Sequence, residues 1–207
     1  NDAPILSSVS PTLTSITENA TDNSGDIITG IVGGSISDND TSSVSGIAIY
    51  SLSSSNGIWE YSINSGTSWN TINQVTASAA LLLKSADYIR YIPDGLNAET
   101  ASLSYYAWDQ TQGVQANTYD VSINRGSTTA FSSIGDTATI TVTNVNDAPE
   151  LTSASPTLTS ITEDATTNSG DIISDLITGI LGSSISDNDT NAVSGIAIHS
   201  ISLSNGR

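Results

Sequence analysis

The chain contains no cysteine and no methionine, one histidine, and four basic residues against 21 acidic ones. Each scarcity excludes something. Without cysteine there is neither a disulfide nor a thiol nucleophile. With a single histidine, His199, the usual nucleophile–base pairs cannot be assembled, so an enzyme is not expected. Acidic residues are numerous, but no two are placed across a cleft by any motif, as glycoside hydrolysis would need. A formal net charge of −17 has the wrong sign for nucleic acid, whose phosphates are neutralised by Lys and Arg. It has the wrong sign for an anionic membrane surface too. No apolar run reaches membrane-spanning length and no signal peptide is visible. What the charge does suit is attraction of cations and resistance to aggregation.

The acidic residues do not form runs, as they would in a disordered tail. They stand singly or as D-x-D among β-branched and aromatic residues, which are plentiful enough to bury a core. Within this background one phrase recurs. "NDAPILSSVSPTLTSITEN" opens the chain, and "NDAPELTSASPTLTSITED" begins again at Asn146. Residues 1–28 match 146–173 at 23 of 28 positions, and residues 29–57 match 178–206 at 22 of 29. The second copy carries extra residues in "ISDLITG" between those two blocks. Such self-similarity marks a tandem array of independent domains, since solenoid coils repeat at 20–50 residues. Residues 1–145 are read as one complete repeat and 146–207 as the N-terminal part of a second, incomplete one. Opening on a repeat boundary, the sequence reads as an excerpt from something longer.

Inside a repeat the dominant period is two. "GIAIYSLS" (46–53), "WEYSI" (59–63), "YIRYI" (88–92), "SLSYYAW" (102–108) and "TATITVTNV" (137–145) predict strands. "INSGTS" between Trp59 and Trp69 predicts a hairpin connection. Many short strands between turn signals predict an all-β fold, a β-sandwich. The one helical hint is "IISDLITGIL", where Ile173, Leu176, Ile177, Ile180 and Leu181 fall at helical steps; "IITGIV" is its shorter form in the first copy.

Four motifs in order, "VNDAP" (Val145–Pro149), "ITED" (Ile161–Asp164, with Ile16–Asn19 in the first copy), D-x-D (Asp38/Asp40 and Asp187/Asp189) and "Y-A-x-D" (Tyr106–Asp109), resemble the cadherin-like repeats of large bacterial surface adhesins of the RTX/VCBS type. The resemblance spans the whole chain. It implies cadherin-like or Ig-like β-sandwich repeats in tandem, with Ca2+ bound where repeats meet. The implied ligands at the internal junction are Glu18, Asn146, Asp147, Asp187 and Asp189. Asp2, Asp38, Asp40 and Asp109 are implied as the equivalent cluster at the start of the first repeat. The chemistry stands without the name. Calcium takes six to eight oxygens with little demand for fixed geometry, and alternate residues of an extended loop point two carboxylates the same way. The alternative for D-x-D is a plain turn, since Asp and Asn favour turns.

With the resemblance, these features imply an extracellular structural module of a bacterial adhesin, stalk or filament, rigidified by calcium and expected at the cell surface or secreted. Its expected partners are neighbouring repeats or copies of itself, end to end, and a cell-surface or glycan target. A carbohydrate-binding module using the Trp59/Tyr61/Trp69 hairpin is the alternative, although Trp and Tyr are more often core than platform. Tyr105, Tyr106 and Trp108 alternate in facing, so at least one is expected to point outward. His199 replaces Tyr50 of the first copy and Lys84 reads as an edge-strand charge. The second copy lacks a counterpart of residues 58–145, so Ile196, Ile198 and Ile201 are expected to lie uncovered unless a longer chain or a neighbour's strands complete it.

Overall fold

A computed structural model describes residues 1–41, 43–152, 155–175, 184–189 and 191–202. The chain divides into two compact units, Asn1–Val145 and Asn146–Arg207. Among the described residues the fold is all-β: the helices are only five and three residues long.

The first unit runs β1 (Ile5–Leu6), β2 (Ile16–Thr17), β3 (Asp26–Ile27), α1 (Ile28–Val32), β4 (Ile36–Ser37), β5 (Gly46–Ser53), β6 (Gly57–Ser62) and β7 (Asn70–Thr71). It continues with β8 (Ala80–Lys84), β9 (Tyr88–Pro93), β10 (Glu99–Trp108), β11 (Thr118–Tyr119) and β12 (Phe131–Thr143). Six strands form one sheet in the order β11-β8-β5-β10-β12-β2, four form another in the order β3-β9-β6-β7, and β1 pairs with β4. Pairing is antiparallel except that β2 lies parallel to β12.

Both sheets feed one core because their strands alternate. β9 buries Ile89, Tyr91 and Pro93 and turns Tyr88, Arg90 and Ile92 outward. Ile47 and Ile49 of β5, Leu103 and Tyr105 of β10, and Ile140 and Val142 of β12 join Trp59 of β6 and Ile89 and Tyr91 of β9 in a single cluster. Helix α1 adds Ile28, Ile31 and Val32. Each such aliphatic side chain contributes roughly 1.5–3 kcal/mol on leaving water.

The other face of the six-stranded sheet is also covered, which corrects one expectation. Tyr106 and Trp108 do face away from Tyr105, but neither points into solvent. They pack with Ala48, Leu82, Val121 and Phe131 beneath the segment that crosses from β10 to β12. A register shift between Tyr106 and Trp108 accompanies this turn of the strand. There the Ser132 hydroxyl accepts from the Ala107 N–H at 2.9 Å and donates to the Ile134 carbonyl at 2.7 Å, replacing ladder bonds the shift removes. A second correction concerns Lys84: β8 lies between β11 and β5, so its charge does not guard a sheet edge.

In the second unit, β13 (Glu150–Leu151) pairs antiparallel with β14 (Ile185–Ser186), and α2 spans Ile173–Asp175. The expected helix thus starts at Ile173, while Leu176, Ile177, Ile180 and Leu181 lie outside the described residues. Residues 192–202 hold no strand. Ile196, Ile198 and Ile201 are exposed.

Buried carboxylates clamp loops to this framework. Asp136 on β12 accepts from the Val9 N–H and the Ser8 hydroxyl, each at 2.9 Å, and from the Thr137 N–H at 2.8 Å. Burial alone would raise its pKa, but these bonds outweigh it and hold the carboxyl below its usual range. Asp136→Ala is expected to cost about 2 kcal/mol near neutral pH, measured by urea unfolding. A carboxyl with a depressed folded pKa contributes stability above its unfolded value, about 3.9, and loses it as pH falls through the folded value. The deficit should therefore shrink in acid; a deficit independent of pH would contradict this account of Asp136.

Candidate metal centre

The loop after β4 carries Asp38-Asn39-Asp40. Its first carboxylate folds back, Asp38 Oδ1 accepting from the Asp40 N–H at 2.8 Å. That is the Asx turn expected of such residues. It leaves the other oxygens for something else. Asp40 Oδ2 accepts from the Asp2 N–H at 2.8 Å, which ties the N-terminal segment to the loop. Asp109, at the end of β10 and 4 % exposed, accepts from the Thr111 N–H at 2.8 Å and hydroxyl at 2.6 Å through Oδ1. Its Oδ2 accepts from the Asn1 amide at 2.9 Å. Asn1, Asp38, Asp40, Asp109 and Thr111 line one open cleft of about 380 Å³.

Of the first unit's four expected residues, Asp38, Asp40 and Asp109 share this cleft. Asp2 joins through its backbone and lines a separate depression beside Ala3 and Asn39. Asn1 was not among the residues singled out; its counterpart Asn146 was, so the repeat alignment carried the signal. Among the described residues no three acidic or imidazole groups stand close enough to make a preassembled metal cluster.

Glu18 stands elsewhere in the same unit. It follows β2, beside the end of β12, whereas Asp109 precedes the crossing that leads into the start of β12. The 13 residues of β12 separate the two positions by about 40 Å. Glu18 is fully buried; Oε1 accepts from the Val145 N–H at 2.6 Å, and Oε2 has no donor.

The second unit repeats the loop geometry. Asp189 N–H donates to Asp187 Oδ1 at 2.9 Å, Asp147 N–H donates to Asp189 Oδ2 at 2.9 Å, and the Asn146 amide turns back to the Asp147 carbonyl at 2.7 Å. Among the described residues three shielded carboxylate oxygens, Asp38 Oδ2, Glu18 Oε2 and Asp147 Oδ2, have no hydrogen-bond partner. A shielded carboxylate oxygen without a donor is costly, and a hard cation is the partner that carboxylates, amide carbonyls and hydroxyls suit.

Two aromatic rings of the hairpin are engaged within the fold. Trp59 is 2 % exposed and packs on Tyr91 with ring centroids 5.1 Å apart. The Trp69 ring is covered on one face by the Arg90 guanidinium, 4.2 Å from its centroid, and Arg90 is held by Glu60 at 2.8 Å. Comparison with protein-family models, curated proteins and solved structures gives no match.

If the cleft carboxylates await a cation, neutralising one should not harm the metal-free fold. Asp38→Asn keeps an oxygen for the Asp40 N–H and removes one like charge. In chelator its unfolding free energy is expected within about 0.5 kcal/mol of the parent, or above it. A clear loss of stability in chelator would make Asp38 a structural turn residue only.

Proposed function

We propose that the chain is part of a tandem array of cadherin-like β-sandwich repeats, an extracellular structural module of a surface adhesin, stalk or filament that calcium makes rigid. One observation carries the calcium reading. The same Asx-turned D-x-D, gripped by a backbone N–H of the N-D-A-P segment, opens both units, with a shielded, unpartnered carboxylate oxygen in each. Asp2, Asp38, Asp40 and Asp109, with Asn1, supply oxygens in the first unit. Asn146, Asp147, Asp187 and Asp189 supply them in the second, and Glu18 offers a further buried carboxylate at the end of the first.

The ion would supply charge neutralisation and cross-linking. Carboxylates drawn together repel until a cation binds, so the loops that carry them are held in one arrangement only when it does. The all-β framework supports a structural role: a repeat stiffened by two sheets sharing one core resists bending better than a flexible linker. An N-D-A-P joint suits this, because proline fixes its own backbone angle. End-to-end repetition of self-similar domains propagates as a filament without a dedicated interface for each step.

Calcium at a hundredfold excess over its dissociation constant is expected to stabilise the chain by about 2.7 kcal/mol, seen as a rise in melting temperature over chelator. Asp38→Ala and Asp109→Ala should each lose most of that rise. Asp22→Ala, a solvent-exposed carboxylate with one ion pair to Arg90 at 3.7 Å, should keep it. Asp87 and Asp136 are unsuitable controls, since both are buried and hydrogen-bonded. No calcium-dependent rise in the parent, or equal losses in all three variants, would overturn the reading.

A further inference from the structure

One ladder of the first unit is not antiparallel: β2 lies parallel to β12, with Ile16 beside Val142 and Thr17 beside Thr143. The parallel contact is longer than those two residues. Thr12 bridges Thr139 in the same sense, the Thr139 N–H donates to the Pro11 carbonyl at 3.0 Å, and the Leu13 N–H donates to the Thr139 carbonyl at 2.8 Å. Beyond β2 the Glu18 N–H donates to the Thr143 carbonyl at 3.0 Å, and the Glu18 carboxylate accepts from the Val145 N–H at 2.6 Å. Before β2, Asp136 accepts from the Ser8 hydroxyl and the Val9 N–H, each at 2.9 Å, and from the Ser10 N–H at 3.2 Å. Residues 8–18 are thus fastened along residues 136–145, over a length of about 30 Å.

The fastening is shielded and tied to both sheets. Leu13, Ile140 and Val142 are 4, 3 and 2 % exposed and belong to the core, so water has poor access to the bonds between them. Thr14 anchors the same segment to Asp26 of β3, its N–H donating at 3.1 Å and its hydroxyl at 2.6 Å. Sliding residues 8–18 along β12 would break these bonds together and drag Leu13 out of the core.

Direction matters because these are the first and last segments of the unit. A pull at Asn1 acts on residues 8–18 from their N-terminal end. A pull at Asn146 acts on β12 from its C-terminal end. In parallel neighbours those two ends lie at opposite ends of the contact, so the forces run along the strands in opposite senses. The bonds lie across the strands and are loaded all at once. Antiparallel neighbours would present both ends at one side and would open one bond at a time.

We infer that the contact of residues 8–18 with residues 136–145 is a shear clamp, by which the first unit bears tension applied from end to end. The inference rests on the array reading for its load, since each repeat of a stalk is pulled through its own first and last residues. It adds a load-bearing function and assigns it to backbone pairing and Asp136, outside the carboxylate cleft. The clamp needs no ion.

The test is single-molecule force spectroscopy of the 207-residue chain in chelator. The sequence has no cysteine, so two introduced thiols define the points of attachment. One pair, a cysteine added before Asn1 together with Ala148→Cys, pulls along the clamp. The other, Thr21→Cys with Ala148→Cys, pulls both strands from the same end. Thr21 and Ala148 are exposed, so neither change disturbs the core. The force that unfolds the first unit is expected to be at least about twofold higher along the clamp, since forced unfolding reports the barrier and not the equilibrium stability. Asp136→Ala lies at the far end of the contact from Thr21. It should lower the force along the clamp by about a quarter or more and leave the peeling force unchanged. A side chain that only stabilised the fold would lower both alike. Equal forces in the two directions overturn the inference, and so does an equal effect of Asp136→Ala on both. Working in chelator keeps this outcome apart from the calcium reading, which the melting temperatures decide.

Discussion

The position of β5 between β8 and β10 is the constraint on which the rest of the structure depends. β5 is buried over Gly46–Ile49 on both faces of the sheet, so its apolar residues and both its hydrogen-bonding edges need partners from later in the chain. β10 supplies one edge and stacks the sheet onward to β12; β8 supplies the other. The four-stranded sheet then closes over the inner face, and the segment from β10 to β12 over the outer one. Contacts of such sequence separation cost loop-closure entropy before they return any burial. Among its described residues the second unit repeats the β1–β4 pairing as β13–β14, and Ile196, Ile198 and Ile201 are exposed.

The charge of the chain becomes intelligible against this framework. Several carboxylates act as brackets that catch backbone N–H groups of loops. Asp136 holds the segment after β1, Glu99 holds Ser55 and Asn56 between β5 and β6, and Asp87 holds the turn after β8. Burial raises the Tyr91 hydroxyl well above its ordinary pKa, and its bond to Glu99 adds to the shift, so this clamp stays proton-donating. These acids have work within the fold. The oxygens of Asp38, Glu18 and Asp147 that lack donors are different, and they lie on the motif residues that recur or flank the repeat boundary.

Much of the framework was legible because alternation is a local signal: 46–53 matches β5 residue for residue, and 88–92 and 102–108 lie within β9 and β10. The two-residue strands β1, β4, β7 and β11 were not legible, since two residues have no period and such strands exist only by tertiary pairing. Burial of Tyr106 and Trp108 was missed for a related reason. Their cover, residues 109–130, is polar and turn-rich in sequence, and becomes a lid only when Val121 and Ala130 are brought onto the sheet. At the candidate site, D-x-D was readable as spacing, and Asp109 only through the resemblance of its motif. The role of Asn1 and the bracketing by Asp136 depend on contacts more than a hundred residues apart and left no trace in local pattern.

Titration calorimetry of the full chain with calcium and, separately, magnesium at about 0.15 M ionic strength tests the central claim most directly. Carboxylates, carbonyls and hydroxyls on loops suit the larger, geometrically tolerant ion over one that demands an octahedral shell. The account predicts saturable calcium binding at a fixed small stoichiometry, which magnesium at equal concentration does not reproduce. No saturable heat, or indistinguishable responses to the two ions, would show that only the diffuse negative charge of the chain attracts cations, and would contradict it.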